Sequence, residues 1–156
     1  MKYQDFLDSA ALEQYAWALN SRAKQANALG RLGACDLRDR ILESGGLCEW
    51  CGLSLVNAHF ELDHIISLRQ RGSNTAENLV VACPDCNRKK GQKHPARFAA
   101  EISAKRRRKT ALVDRILQHY AMTAVEQASL FSEPASRTES NTDNSRDNSE
   151  APHYRW

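Results

Sequence analysis

Apolar residues recur at helical spacing from Tyr3 to about Glu43: Phe6, Leu7, Ala10 and Ala11, then Tyr15, Ala16 and Leu19, and later Leu37 and Ile41. Steps of three and four place such residues on one helix face, so two helices are expected. Gly30 and Gly33 interrupt them, and Gly45-Gly46 supplies a stop. The period then changes. Phe60 and Leu62 alternate with His59 and Glu61, as in a half-buried strand, and "NLVVAC" (78–83) is a second strand-like run. Pro84 suits the first turn of a helix that continues through "PDCNRKKGQK". Helical spacing returns over 96–131: Phe98, Ala99 and Ile102 form one stripe, and Leu112, Val113, Ile116, Leu117, Tyr120 and Ala124 another.

These patterns divide the chain into four parts: a helical segment over 1–44, a strand–long loop–strand–helix centre over 45–94, helices over 95–131, and a tail over 132–156. The tail is dominated by Ser, Asn, Thr, Asp, Glu and Arg with no apolar period, which predicts disorder. The fold class expected is α+β.

Composition narrows the class. With 156 residues and 42% hydrophobic content the chain can bury one real core. Asp5, Asp8 and Glu13 break any apolar run near the start, so no signal-peptide pattern is visible, and no stretch approaches the ~18 apolar residues of a membrane span. A soluble, cytoplasmic protein is expected, with cysteines serving as ligands rather than disulfides. The net charge of +3 is unevenly spread: residues 87–109 alone carry +9, which marks a polyanion-binding segment or a solvated helix face. It includes "KRRRK", Lys105, Arg106, Arg107, Arg108 and Lys109.

The cysteines supply the first chemistry. "CEWC" places Cys48 and Cys51 in one C-x-x-C, and "CPDC" places Cys83 and Cys86 in another. Two such pairs complete a tetrahedral thiolate site suited to structural zinc. Cys35 is left over and is expected to be a buried apolar cysteine. Trp50, inside the first turn, is expected to pack in the core. His59 and His94 have no assigned partner. Zinc here would close a loop that contains an anomaly, Asp63 and His64 side by side in the apolar run "HFELDHIISL". Either they are a paired polar feature of the core, or the strand leaves the core there to build a site.

The residues "CEWCG", "ELDHI", "GSNTAENLVVAC" and "CPDCNRKK" resemble the HNH endonuclease family, the ββα-metal nucleases, in their zinc-bearing form. The resemblance covers about residues 45–94. The three signature positions fall on His64, Asn78 and Asn87, fourteen and nine residues apart, which makes this an H-N-N variant. Ser67 stands where a proline is common. The resemblance implies a ββα-metal core pinned by the four cysteines and a nuclease leaving a 5′-phosphate. It also implies that Asn78 holds the loop and orients His64.

Phosphodiester hydrolysis explains the residue types on its own terms. It needs a deprotonated water, a clamp on the phosphate and charge relief for the leaving oxygen. A neutral imidazole can take the proton, the role assigned to His64. A hard cation such as Mg²⁺ prefers oxygen ligands, available from the Asp63 carboxylate and the Asn87 amide. Adjacent residues of a regular strand point to opposite faces, so the strand is expected to end or distort at 63–64. Lys89 and Lys90 are candidates for the scissile phosphate or for plain backbone-phosphate contact, and Arg69 and Arg71 for the flanking strand.

Two classes of function follow. One is a metal-dependent endonuclease on DNA, expected to be double-stranded, with RNA left open. The other is a non-catalytic zinc module that binds nucleic acid or protein. The set Asp63, His64, Asn78 and Asn87 discriminates them, since a zinc knuckle alone does not require it.

Overall fold

Leu12, Ala16, Leu19 and Ala23 lie three and four residues apart and are all buried, so one face of a helix turns inward; of the expected stripe Ala16 and Leu19 lie on it, Ala11 and Tyr15 flank it and Ala10 is exposed. In the computed structural model, which describes residues 9–106 and 109–130, this is α1, Ser9–Gln25. The second stripe forms α2, Ala34–Glu43, burying Leu37 and Ile41. The Asp36 carboxylate accepts the Gly33 N–H at 2.7 Å, satisfying a donor at the start of α2. Gly30 lies between the two helices at φ +98°, a conformation that favours glycine.

The centre holds two short strands, β1 Glu61–His64 and β2 Leu79–Ala82, paired antiparallel with His64 opposite Leu79 and Glu61 opposite Ala82. A two-stranded ribbon is marginal by itself and needs packing on both faces. Its edges are closed as well. Glu49 lies along the outer edge of β2: its N–H donates to Val81 O at 2.9 Å and its carboxylate accepts the Val81 N–H at 2.7 Å. Arg40 of α2 joins the same corner, donating from Nε to Leu79 O at 3.0 Å and pairing with Glu49. On the outer edge of β1, Tyr15 of α1 accepts the Leu62 N–H. Lys90 Nζ donates to the His64 carbonyl at 2.8 Å.

Helix α3, Pro84–Lys90, follows β2 directly, with Pro84 in its first turn. Two further helices, α4 Pro95–Lys105 and α5 Ala111–Leu130, pack together and complete the core. Trp50 is fully buried and meets Phe98 of α4 edge to face, ring centroids 5.0 Å apart, as expected of a core tryptophan. One cluster of buried side chains runs from Leu12 through Trp50, Phe60 and Val81 to Ile116, so the flanking helices and the centre share a core.

Helices, strands and the α+β class follow the sequence pattern. Cys35 does not: it is exposed near the start of α2, because the buried face there is set by Leu37 and Ile41. The expected helical positions Phe6 and Leu7, and the tail expected to be disordered over 132–156, lie outside the described residues. Among the described residues no helix is long and apolar enough to cross a membrane.

Candidate active site

The four cysteines converge. Cys48 and Cys51 sit on a tight turn closed by Gly52 N–H to Cys48 O at 2.7 Å, with Gly52 at φ +74°. Cys83 caps α3, its sulfur accepting the Cys86 N–H at 3.4 Å. All four sulfurs lie within 4.8 Å of one another, and Cys51 and Cys83 are 4.0 Å apart. A tetrahedral zinc with Zn–S near 2.3 Å requires sulfurs about 3.8 Å apart, so the donor set fits the ion. The sulfurs also stabilise charge unequally. A hydrogen bond from the Cys86 thiol lowers the Cys48 pKa to about 5 against the effect of burial, whereas burial raises Cys51 to about 11.

From this anchor the polypeptide reaches the 63–64 pair. β1 stays in regular register through His64, its last residue. The strand thus ends at the pair, as expected, without a distortion before it, and the alternation sends Glu61 and Asp63 to one face and Leu62 and His64 to the other. On the first face lies α3. Asn87 donates from Nδ2 to the Glu61 carboxylate, which leaves its amide oxygen uncommitted by that contact. Lys90, three residues on, brings its ammonium 3.1 Å from Asp63 Oδ2. That oxygen is buried with the ammonium as its charged partner, and the carboxylate is a hard donor of the kind a divalent cation takes.

Lys90 corrects an expectation. Its residue exposure is 1%, and its Nζ donates to His64 O and Gly91 O, so it does not face a nucleic-acid phosphate. A charged run in sequence had looked like one solvated face, but three residues after Asn87 is the same side of α3, turned toward β1. Lys89 is the exposed one, in ion-pair contact with Asp85 at 3.4 Å.

On the second face His64 is buried, its Nε2 3.0 Å from Asn74 Oδ1. Burial holds the imidazole pKa below the usual histidine value, aided by the charges of Arg22 and Lys90 and opposed by Asn74 and Asp63. Asn78 is also buried and works on the loop rather than on the ring. Its Oδ1 accepts Ile66 N–H at 2.9 Å, and its Nδ2 donates to Ile66 O at 3.0 Å and Ser73 O at 2.7 Å. Asn74 is thus the partner of His64 that sequence reasoning missed.

The loop leaves no room to spare. A Cβ on Gly72 would sit 2.0 Å from Ile66 O and 2.8 Å from Asn78 Nδ2. Gly72→Ala should therefore displace the 66–73 backbone, destabilising the fold by about 1–3 kcal/mol. A urea melt unchanged from wild type would contradict this packing.

The remaining positions are peripheral. Arg69, Arg71, Lys105, Arg106 and Lys109 are exposed, and Arg107 and Arg108 lie outside the described residues. His59 is exposed, while His94 caps α4 through Ala96 N–H and stacks edge to face on Tyr120. Besides Asn74, the sequence reading missed Glu61, although its i, i+2 relation to Asp63 in a strand places it on the same face.

Around this site, residues 48–93 match the model of the HNH endonuclease family. Two curated proteins are similar over this region. The Type IV methyl-directed restriction enzyme EcoKMcrA of Escherichia coli (strain K12) is 38% identical over 68 residues, which is 40% of this chain and 24% of that protein. The CRISPR-associated endonuclease Cas9 of Corynebacterium diphtheriae is 40% identical over 57 residues, 36% of this chain and 5% of that protein. The chain thus spans a quarter or less of the length of either relative. No solved structure matches it significantly.

Proposed function

We propose that the protein is a divalent-cation-dependent endonuclease that hydrolyses phosphodiester bonds in DNA, double-stranded DNA being its substrate. The observation that carries this reading is the strand end itself: a buried imidazole, its pKa held down by burial, next to a carboxylate that faces the helix carrying Asn87. The similarity to a restriction enzyme and a CRISPR endonuclease points the same way.

His64 takes a proton from water, and the oxygen attacks phosphorus as the bond to the 3′ oxygen breaks. A 5′-phosphate and a 3′-hydroxyl result, the leaving oxygen taking a proton from solvent. Asp63 and the Asn87 amide oxygen would hold the cation, with Glu61 orienting Asn87. Bound Mg²⁺ would neutralise charge on the phosphate and leaving oxygen. Since Asp63 and His64 leave opposite faces as the last two residues of β1, a phosphate at the strand's end is where both can act. Asn78 keeps the loop beyond that end in place. The four cysteines hold structural zinc, away from the chemistry.

Supercoiled plasmid incubated with zinc-loaded protein and Mg²⁺ should be converted to nicked or linear form, and EDTA should stop it. No conversion with Mg²⁺ or Mn²⁺ would return the protein to a non-catalytic zinc module.

The segment 105–109 and the exposed Arg69, Arg71 and Lys89 are assigned to phosphate contact. Neutralising all five side chains of "KRRRK" should flatten the log–log salt dependence of duplex binding by up to about 4–5 units, since each phosphate contact contributes about 0.9. Turnover on saturating DNA should change little. An unchanged slope would make the segment a solvated surface.

A further inference from the structure

A line of hydrogen bonds ends on His64, and its polarity is fixed from the far end. Leu32 offers both main-chain groups to Asn20 of α1: its N–H donates to Asn20 Oδ1 at 2.9 Å, and its carbonyl accepts from Nδ2 at 2.8 Å. Turning the Asn20 amide over would oppose donor to donor and acceptor to acceptor, so its orientation is settled. Asn20 Oδ1 also accepts from Asn74 Nδ2 at 2.8 Å. The atom Asn74 presents to the ring is therefore Oδ1, 3.0 Å from His64 Nε2. An amide oxygen only accepts, so Nε2 carries the hydrogen. A neutral imidazole has one N–H, and Nδ1 keeps its lone pair.

The line is rigidly seated. Asn74 is fully buried and its N–H donates to Leu29 O at 2.6 Å. Gly30 approaches so closely that a Cβ there would lie 2.8 Å from Asn74 O and 2.7 Å from Thr75 Cγ2. The connection between α1 and α2 thus grips the loop that carries Asn74. Asn20, Leu29 and Leu32 all lie outside residues 48–93.

We infer that Asn20 and Asn74 are positioning residues that fix the tautomer and orientation of His64, making Nδ1 the atom that takes the proton and α1 a part of the catalytic apparatus. The catalytic half rests on the nuclease reading; the tautomer rests on geometry alone.

The two halves separate experimentally. In full-length, zinc-loaded protein labelled with ¹⁵N-histidine, the wild-type His64 ring should show a protonated Nε2 and an unprotonated Nδ1 whether or not DNA is cut. Asn74→Ala removes the acceptor and should mix the tautomers. Asn20→Ala frees the Asn74 amide to turn over and should do the same from another element, which keeps the test open if one variant misfolds. In both, kcat on plasmid DNA should fall roughly 10–100-fold, the usual cost of removing a partner that orients a functional imidazole, with KM little changed.

A wild-type ring protonated at Nδ1 would overturn the proposal. So would Asn20→Ala and Asn74→Ala proteins that are merely less stable, with an unaltered tautomer. If the tautomer follows Asn74 while even wild type fails to cut, the nuclease reading falls and takes the catalytic half with it.

Discussion

His64→Ala should cut plasmid roughly 10²–10⁴ times more slowly than wild type, the usual worth of a positioned general base. Its affinity for duplex DNA should stay within about a few-fold, because phosphate contacts dominate binding. The variant keeps Asp63, Asn87, the cysteines and the basic segment, so the loss is confined to proton transfer. Asp63 behaves differently. Lys90 lies fully buried beside it, so Asp63→Ala would strand a charge as well as remove a ligand. Asp63→Asn is the milder change, and excess Mg²⁺ or Mn²⁺ should partly rescue it. Metal rescue of His64→Ala would mean that the two roles are reversed. Cleavage by His64→Ala at the wild-type rate would leave the 63–64 pair as a polar feature of the core.

Cys86→Ser should cost the fold itself. Structural zinc contributes of order ~10 kcal/mol in small domains, comparable to the whole stability of a typical domain. Two of the ligands sit at the start of α3 and two on the turn that carries Glu49 and Trp50. Losing the ion would therefore free the edge of β2 and the core tryptophan together. Asn87 follows Cys86 directly, so its amide would lose its place opposite Glu61. Metal analysis and a thermal melt should show less zinc and a much lower Tm, with loss of soluble protein. A well-folded, metal-free Cys86→Ser protein would defeat the zinc assignment.

How far the sequence was legible depended on the range of the interaction. The cysteine pairs, the helical stripes and the strand alternation are local patterns, and the elements appear near where they were expected, although the inner face of α1 shifts to Leu12 and Ala23 and β1 begins at Glu61. The end of β1 at the 63–64 pair was legible too, since two adjacent polar groups with one task cannot both continue a regular strand. Lys90 was legible in principle, since a helix returns to the same face every three to four residues, but its charge concealed it. Asn74 was not legible. In "GSNTAEN" it looks like any turn residue. Asn20 was less so, a polar residue within a helix whose partner Asn74 is 54 positions away. No local rule connects a helix to a loop at that distance; only the folded chain does. Cys35 failed for the opposite reason, since a general preference for burial gave way to the face chosen by its stronger apolar neighbours.

The close seating of Gly30 on the Asn74 backbone bears on how such a motif can be inherited. The signature residues occupy a short stretch that could pass from one gene to another as a unit. What stands behind Asn74, the partner of the imidazole, could not, because here it is Asn20 and the main chain of a separate helical hairpin, admitted only where a side chain is missing. Each recipient would have to invent its own backing for the histidine. Between hosts the letters of the motif can therefore stay fixed while the scaffold that disciplines its base is replaced.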